Sequence, residues 1–126
     1  MFKMVDKKKI EEVLAKMMDD ITSLEGIIAA KTDGTVIVGQ TIMDTDQAGL
    51  QAITTGMLKA AKEAVSVCNI AKKGKIQEML ITSEKGFLLL AGAGDLVLIA
   101  IGGEDAKSQL ALIRKSLKIE LSKLIG

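Results

Sequence analysis

The chain has 126 residues, 48% hydrophobic and 26% charged, with 17 Lys and Arg against 16 Asp and Glu for a net charge of +1. That composition suits a soluble domain with a real core, and it provides no overall field for nucleic acid or an acidic membrane. His, Trp, Tyr and Pro are absent, and Cys68, Arg114 and two Phe are all there is of their kinds. An ordinary zinc site, a histidine-dependent catalytic group, a disulfide framework and an aromatic stacking platform are therefore excluded.

The start, MFKMVDKKKIEE, has no apolar core and no cleavage pattern, so no signal peptide is expected. With a lone cysteine, this points to a reducing cytoplasm. Ile10, Val13, Leu14, Met17, Met18, Ile21 and Leu24 recur at helical spacing and predict a first helix from Asp6 to Leu24, capped by Asp6. Lys7, Lys8 and Lys9 read as a solvated run. Gly26 ends the helix. Asp33-Gly34 lies between two apolar runs, a strong hairpin signal, so Ile27–Lys31 and Thr35–Gln40 should pair.

The stretch MDTDQAGLQ opens a second helix, with Asp44, Thr45 or Asp46 as cap. It should run to about Ile70 and stop at Gly74, after Lys72 and Lys73. Next, IQEMLITS alternates Ile76, Glu78, Leu80 and Thr82 with Gln77, Met79, Ile81 and Ser83, which suits an edge or half-exposed strand.

Residues 86–103, GFLLLAGAGDLVLIAIGG, are long enough to span a membrane. Asp95 at the centre opposes this, costing roughly 2.5–3.5 kcal/mol on insertion scales. Gly92, Ala93, Gly94 and Asp95 instead form a turn cluster, so the stretch reads as a hairpin and no membrane insertion is expected. Its strands are apolar on both faces and belong at the centre of a sheet. Nor is Gly92-Ala93-Gly94 a dinucleotide loop: the third glycine is replaced by Val97, and a strand follows where a helix is needed. A last helix should start near Glu104 or Asp105 and reach Ile125, burying Ala106, Leu110, Ile113, Leu117, Leu121 and Leu124. On its polar side, Leu112 and Ile119 form a candidate contact site, while Arg114 reads as a surface ion-pairing residue.

The order α-β-β-α-β-β-β-α predicts a single α+β domain over residues 1–126, a five-stranded antiparallel sheet with helices on both faces. The middle helix is its informative element. Leu50, Ile53, Met57, Leu58, Ala61, Ala64, Val65 and Cys68 cover about half its circumference, wider than the stripe of roughly 100° that one sheet needs. Ala48, Ala52, Gly56, Ala60 and Ala64, spaced by four, form a shallow row along which a second helix can approach. The reading is self-association through this helix. Gln51, Thr55, Lys59, Lys62, Glu63 and Ser66 make up its polar face. Asp33, Glu84 and Asp95 are explained by turn chemistry, so no enzyme, cofactor or metal is expected.

From about Lys8 to Leu124 the chain resembles the Roadblock family of dynein-light-chain-like proteins. The likeness rests on the order of elements, on LEGIIAAKTDGTVI, on MLITSEKGFLLLAGAGDLVLIAI, and on the helix after Gly102-Gly103. It implies a Roadblock/longin-like fold and a non-enzymatic homodimer whose third strands pair across a two-fold axis beside paired middle helices. The implied dimer interface is Ile53, Gly56, Met57, Ala60, Ala64, Ile76, Gln77, Glu78, Met79, Leu80 and Ile81. The implied partner is a Ras-like small GTPase docking at Gln51, Thr55, Lys59, Lys62 and Glu63, with the protein acting as adaptor or regulator. The alternative is a small-molecule-sensing domain of similar architecture.

Overall fold

The computed structural model describes residues 6–68 and 75–125. Its elements are α1 (Lys7–Asp20), β1 (Leu24–Lys31), β2 (Val36–Thr41), α2 (Gln47–Cys68), β3 (Glu78–Ser83), β4 (Gly86–Ala93), β5 (Leu96–Gly103), a 3-10 segment (Glu104–Gln109) and α3 (Leu110–Ile125). The strands form one antiparallel sheet in the order β2-β1-β5-β4-β3. The order of elements is the one the sequence predicts, and the 86–103 stretch is a hairpin in the middle of the sheet.

Alternation along β5 divides the core between the two faces. Leu96, Leu98 and Ala100 pack with α1 and α3, whereas Val97, Ile99 and Ile101 pack with α2. On β1, Ile27 and Ala29 take the first face and Ile28 and Ala30 the second. Each fully buried Leu or Ile contributes roughly 1.5–3 kcal/mol, which is why strands apolar on both faces occupy the centre. At one end Phe87 lies directly opposite Gly102, and a Cβ on Gly102 would fall 2.4 Å from the Phe87 ring. Glycine is needed there for the ring to lie flat on the strand.

Several boundaries differ from expectation. Helix α1 ends at Asp20, with the Ile21 N–H closing on the Met17 carbonyl. Leu24 begins β1 instead of ending the helix. Both Ile21 and Leu24 are buried, so their helical spacing reflects a shared core and not a shared helix. The Asp33 turn is wider than a two-residue hairpin loop, with Gly34 at φ 100 and Asp33 Oδ1 accepting the Thr35 N–H at 2.8 Å. Gly94 takes φ 58 in the β4–β5 turn, a conformation that favours glycine. The last helix opens as a 3-10 segment before α3 proper. Ile70 and Gly74 lie outside the described residues.

Among the three candidate caps, Asp46 serves α2: its Oδ1 accepts the Gly49 N–H at 2.9 Å. Asp46→Ala should cost about 1 kcal/mol, read as a drop in melting temperature of about 4 °C. An unchanged melting temperature would show the cap to be idle.

Candidate self-association and partner surface

Among the described side chains of α2, one stripe is buried on the sheet. Leu50, Thr54, Met57 and Ala61 are buried, and the Thr54 hydroxyl satisfies itself by donating to the Leu50 carbonyl at 3.0 Å. Leu50 reaches the sheet because Gly39 makes room. A Cβ on Gly39 would stand 2.8 Å from Leu50 Cδ1. A glycine inside a strand often marks such a close approach, and this one is a signal that the sequence reading did not use.

Two further faces of α2 are left. On one flank Gly56, Ala60 and Ala64 are exposed beside half-buried Ile53, and a Cβ on Gly56 would meet nothing within 4 Å. The flank is shallow and open. The other flank carries Gln51, Thr55 and Lys62, with Lys59 and Glu63 on the outward side and all but Gln51 exposed. Gln51 is occupied: its amide donates to the Gly34 carbonyl and to Thr55 Oγ1 at 2.9 Å, and its carbonyl accepts the Val36 N–H at 3.3 Å. It pins the β1–β2 turn to the helix. Because that contact fixes the polar flank toward the β2 edge, the small-residue flank looks the other way, across the sheet toward β3.

Asp33, in the pinned turn, has its carboxyl held below the ordinary 3.8, chiefly by the Thr35 backbone N–H and then by the Thr35 side chain. Desolvation opposes these hydrogen bonds with a smaller effect, and Lys31 and Lys62 add still smaller pulls downward. A depressed carboxylate contributes stability above its unfolded pKa and loses it as pH falls through the folded one. In a carboxyl-carbon NMR titration, Asp33 should therefore titrate below 3.8; a midpoint at or above that value would contradict the turn geometry.

Strand β3 is the open edge of the sheet. Its register pairs Met79 with Leu90 and Ile81 with Leu88, which places these residues on the α2 face. Glu78, Leu80 and Thr82 point to the other face. Leu80 and Ile81 are 39% and 41% exposed. Gln77 extends the inner ladder by accepting the Gly92 N–H at 3.0 Å, with Ile76 half-buried beside it. Among the described residues no strand pairs with the outer side of β3. An exposed apolar edge is a template for another chain. Of the expected interface residues, Ile53, Gly56, Ala60 and Ala64 lie on the small-residue flank of α2, which packs over β1 and β2, and residues 76–81 lie along the open edge at the other side of the sheet. Met57 is 4% exposed and packs beneath its own helix.

Among the described residues there is no group of three or more His, Cys, Asp or Glu able to hold a metal ion. Asp33, Glu84 and Asp95 are exposed in separate turns. Arg114 donates to Glu78 at 2.6 Å and ties α3 to β3, an exposed pair worth about 0–1 kcal/mol. Leu112 and Ile119 stand exposed on α3 as expected. No described helix is long and apolar enough to cross a membrane. An open cleft of about 760 Å³ lies away from α2, between the α1–β1 connection and the end of β5, lined by residues including Ser23, Glu25, Ile42, Lys85 and Gln109.

Comparison with solved structures reveals the same fold in several bacterial proteins. The gliding protein MglB of Thermus thermophilus superposes with a TM-score of 0.73 at 16% identity, covering 98% of this chain and 93% of that one. Myxococcus xanthus MglB gives 0.73 at 16% identity, with 97% and 92% covered. A Roadblock/LC7 domain from Streptomyces avermitilis gives 0.69 at 10% identity, with 89% and 91% covered. At such identities the likeness is one of fold. No curated protein sequence matches the chain. The sequence itself matches the Roadblock/LC7 domain over residues 9–102. That match takes in most of α1, the whole of α2, β1 to β4 and all but the last residue of β5, and the chain belongs to the Roadblock/LC7 domain family.

Proposed function

We propose that the protein is a non-enzymatic homodimeric regulator or adaptor, working in the cytoplasm, that binds a Ras-like small GTPase across its paired α2 helices. The observation that carries this reading is the open flank of α2. Gly56, Ala60 and Ala64 are left exposed in the single chain, and α2 lies on the same face of the sheet as Met79 and Ile81 of the unpaired β3 edge. A second copy placed by a two-fold axis along β3 would extend the sheet and bring its own α2 flank against this one. Small side chains allow helices to pack at the short end of the usual 8–10 Å range. The interface would comprise Ile53, Gly56, Ala60 and Ala64 with residues 76–81. Met57 would support it from below.

Pairing would leave the polar faces of both helices side by side. Thr55, Lys59, Lys62 and Glu63 then form the docking surface, and Gln51 holds the Asp33 turn beside it. The relatives support the reading in kind, since one MglB structure is described with a tetrameric arrangement. Reversing two cations, Lys59→Glu with Lys62→Glu, should weaken binding of the GTPase by at least about tenfold without changing the molar mass of the dimer. Titration calorimetry checks this, and undiminished binding would move the docking surface off α2. The cleft beside Glu25 gives the small-molecule reading a foothold, but it has no aromatic lining and is open to solvent, unlike most ligand pockets.

A further inference from the structure

We infer that two copies joined along β3 form a second binding site on the face opposite α2, a cationic groove one helix wide that receives an acidic amphipathic helix from a partner protein. This rests on the dimer proposed above. Helix α3 lies over β4 and β5, so β3 projects beyond it as an uncovered shelf. On this face the shelf presents Glu78, Leu80 and Thr82, opposite Ala91, Leu89 and Phe87, and Leu80 is 39% exposed.

Two contacts, one from α3 and one from the 3-10 segment before it, show which side overlooks the shelf. Arg114 Nε donates to Glu78 at 2.6 Å, and Lys107 donates to the carbonyls of Ser83 and Glu84 at the far end of β3. Lys118, one turn beyond Arg114, is on the same flank, exposed, and without an ion-pair partner among the described residues. Lys107, Arg114 and Lys118 therefore wall a floor whose one carboxylate, Glu78, is already neutralised.

Duplication about the β3 edge turns the shelf into a groove. With strands about 4.8 Å apart, an α3 seated between β4 and β5 would have its counterpart four spacings away, roughly 19 Å. Packed helices stand about 8–10 Å apart, so one further helix fits between them and touches both. Its occupant needs an apolar stripe to cover Leu80 from each copy and carboxylates on both flanks to meet the cations. A flat lipid surface would rest on the two α3 helices and not reach the floor.

The test is an NMR titration of the isotope-labelled protein with a synthetic 16-residue helix, the length of α3, bearing a leucine stripe flanked by glutamates. The control is the same peptide with lysines for the glutamates, and light scattering is run on each sample. The groove requires one acidic peptide per dimer, amide shifts centred on Leu80, Thr82, Arg114 and Lys118, and binding about tenfold weaker in Lys118→Glu. A dimer that binds the acidic peptide no better than the control overturns the groove. So do shifts centred on α2, two peptides per dimer, or capture by phosphatidylserine vesicles in place of the peptide. A monomeric mass at every concentration places the failure in the dimer reading, and the groove falls with it.

Discussion

Gly56→Leu should convert the proposed dimer to a monomer while making the single chain more stable. Within one chain the space beyond Gly56 is empty, since a Cβ there meets nothing within 4 Å. Leucine is favoured over glycine in a helix interior by about 1 kcal/mol, so the isolated fold gains. Between two chains the effect reverses. Closely approaching helices have no room for a leucine, and overpacking costs roughly 1–3 kcal/mol per copy. Two copies would weaken association by about a hundredfold. Light scattering and thermal melting at low concentration separate the two effects. If the variant dimerises as well as the parent, the helix flank is not the interface. If the low-concentration melt falls, Gly56 serves its own chain.

Leu98→Ala should have the largest effect on the fold itself. Leu98 is fully buried on the central strand β5, facing α1 and α3. Truncating a leucine in such a core costs about 2–5 kcal/mol because the cavity closes only partly. For a chain of this length that corresponds to a drop in melting temperature of about 10 °C. The exposed Leu112 provides the comparison: Leu112→Ala should change stability by no more than about 0.5 kcal/mol. Equal effects at both positions would mean that the helix layer does not cover β5 as described.

The sheet and its helices were legible because their signals are local and periodic. Alternation in 76–83, continuous apolar runs around Gly94 and the Asp33-Gly34 turn each specify a strand and a place in the sheet. The limits of elements were less legible where the core reuses a pattern. Ile21 and Leu24 fit the stripe of α1, yet the chain leaves the helix at Asp20 and brings both into the core from a turn and a strand. The wide apolar arc of α2 was visible on a helical wheel, but not which part the sheet would take. Thr54 is buried in the engaged stripe although it is polar, because its hydroxyl bonds back to Leu50, while the apolar Ala64 is exposed. Gln51 looked like surface. Only the folded turn shows it holding the Gly34 and Val36 backbone. The two ties to β3 and its turn, Arg114 of α3 with Glu78 and Lys107 of the 3-10 segment with the β3–β4 turn, join residues at least 23 positions apart, and no local pattern announces them.

The central claim, a dimer built on α2 and β3 that receives a small GTPase, is tested most directly by the light-scattering molar mass of the protein. It is measured alone and then mixed with a Ras-like small GTPase from the same organism, loaded with GDP or a GTP analogue. Concentration is taken from refractive index, because the chain has no Trp or Tyr. The expected result is twice the chain mass alone and a further gain with one nucleotide form. A chain that stays at single mass and gains nothing from either form would contradict both the dimer and its partner.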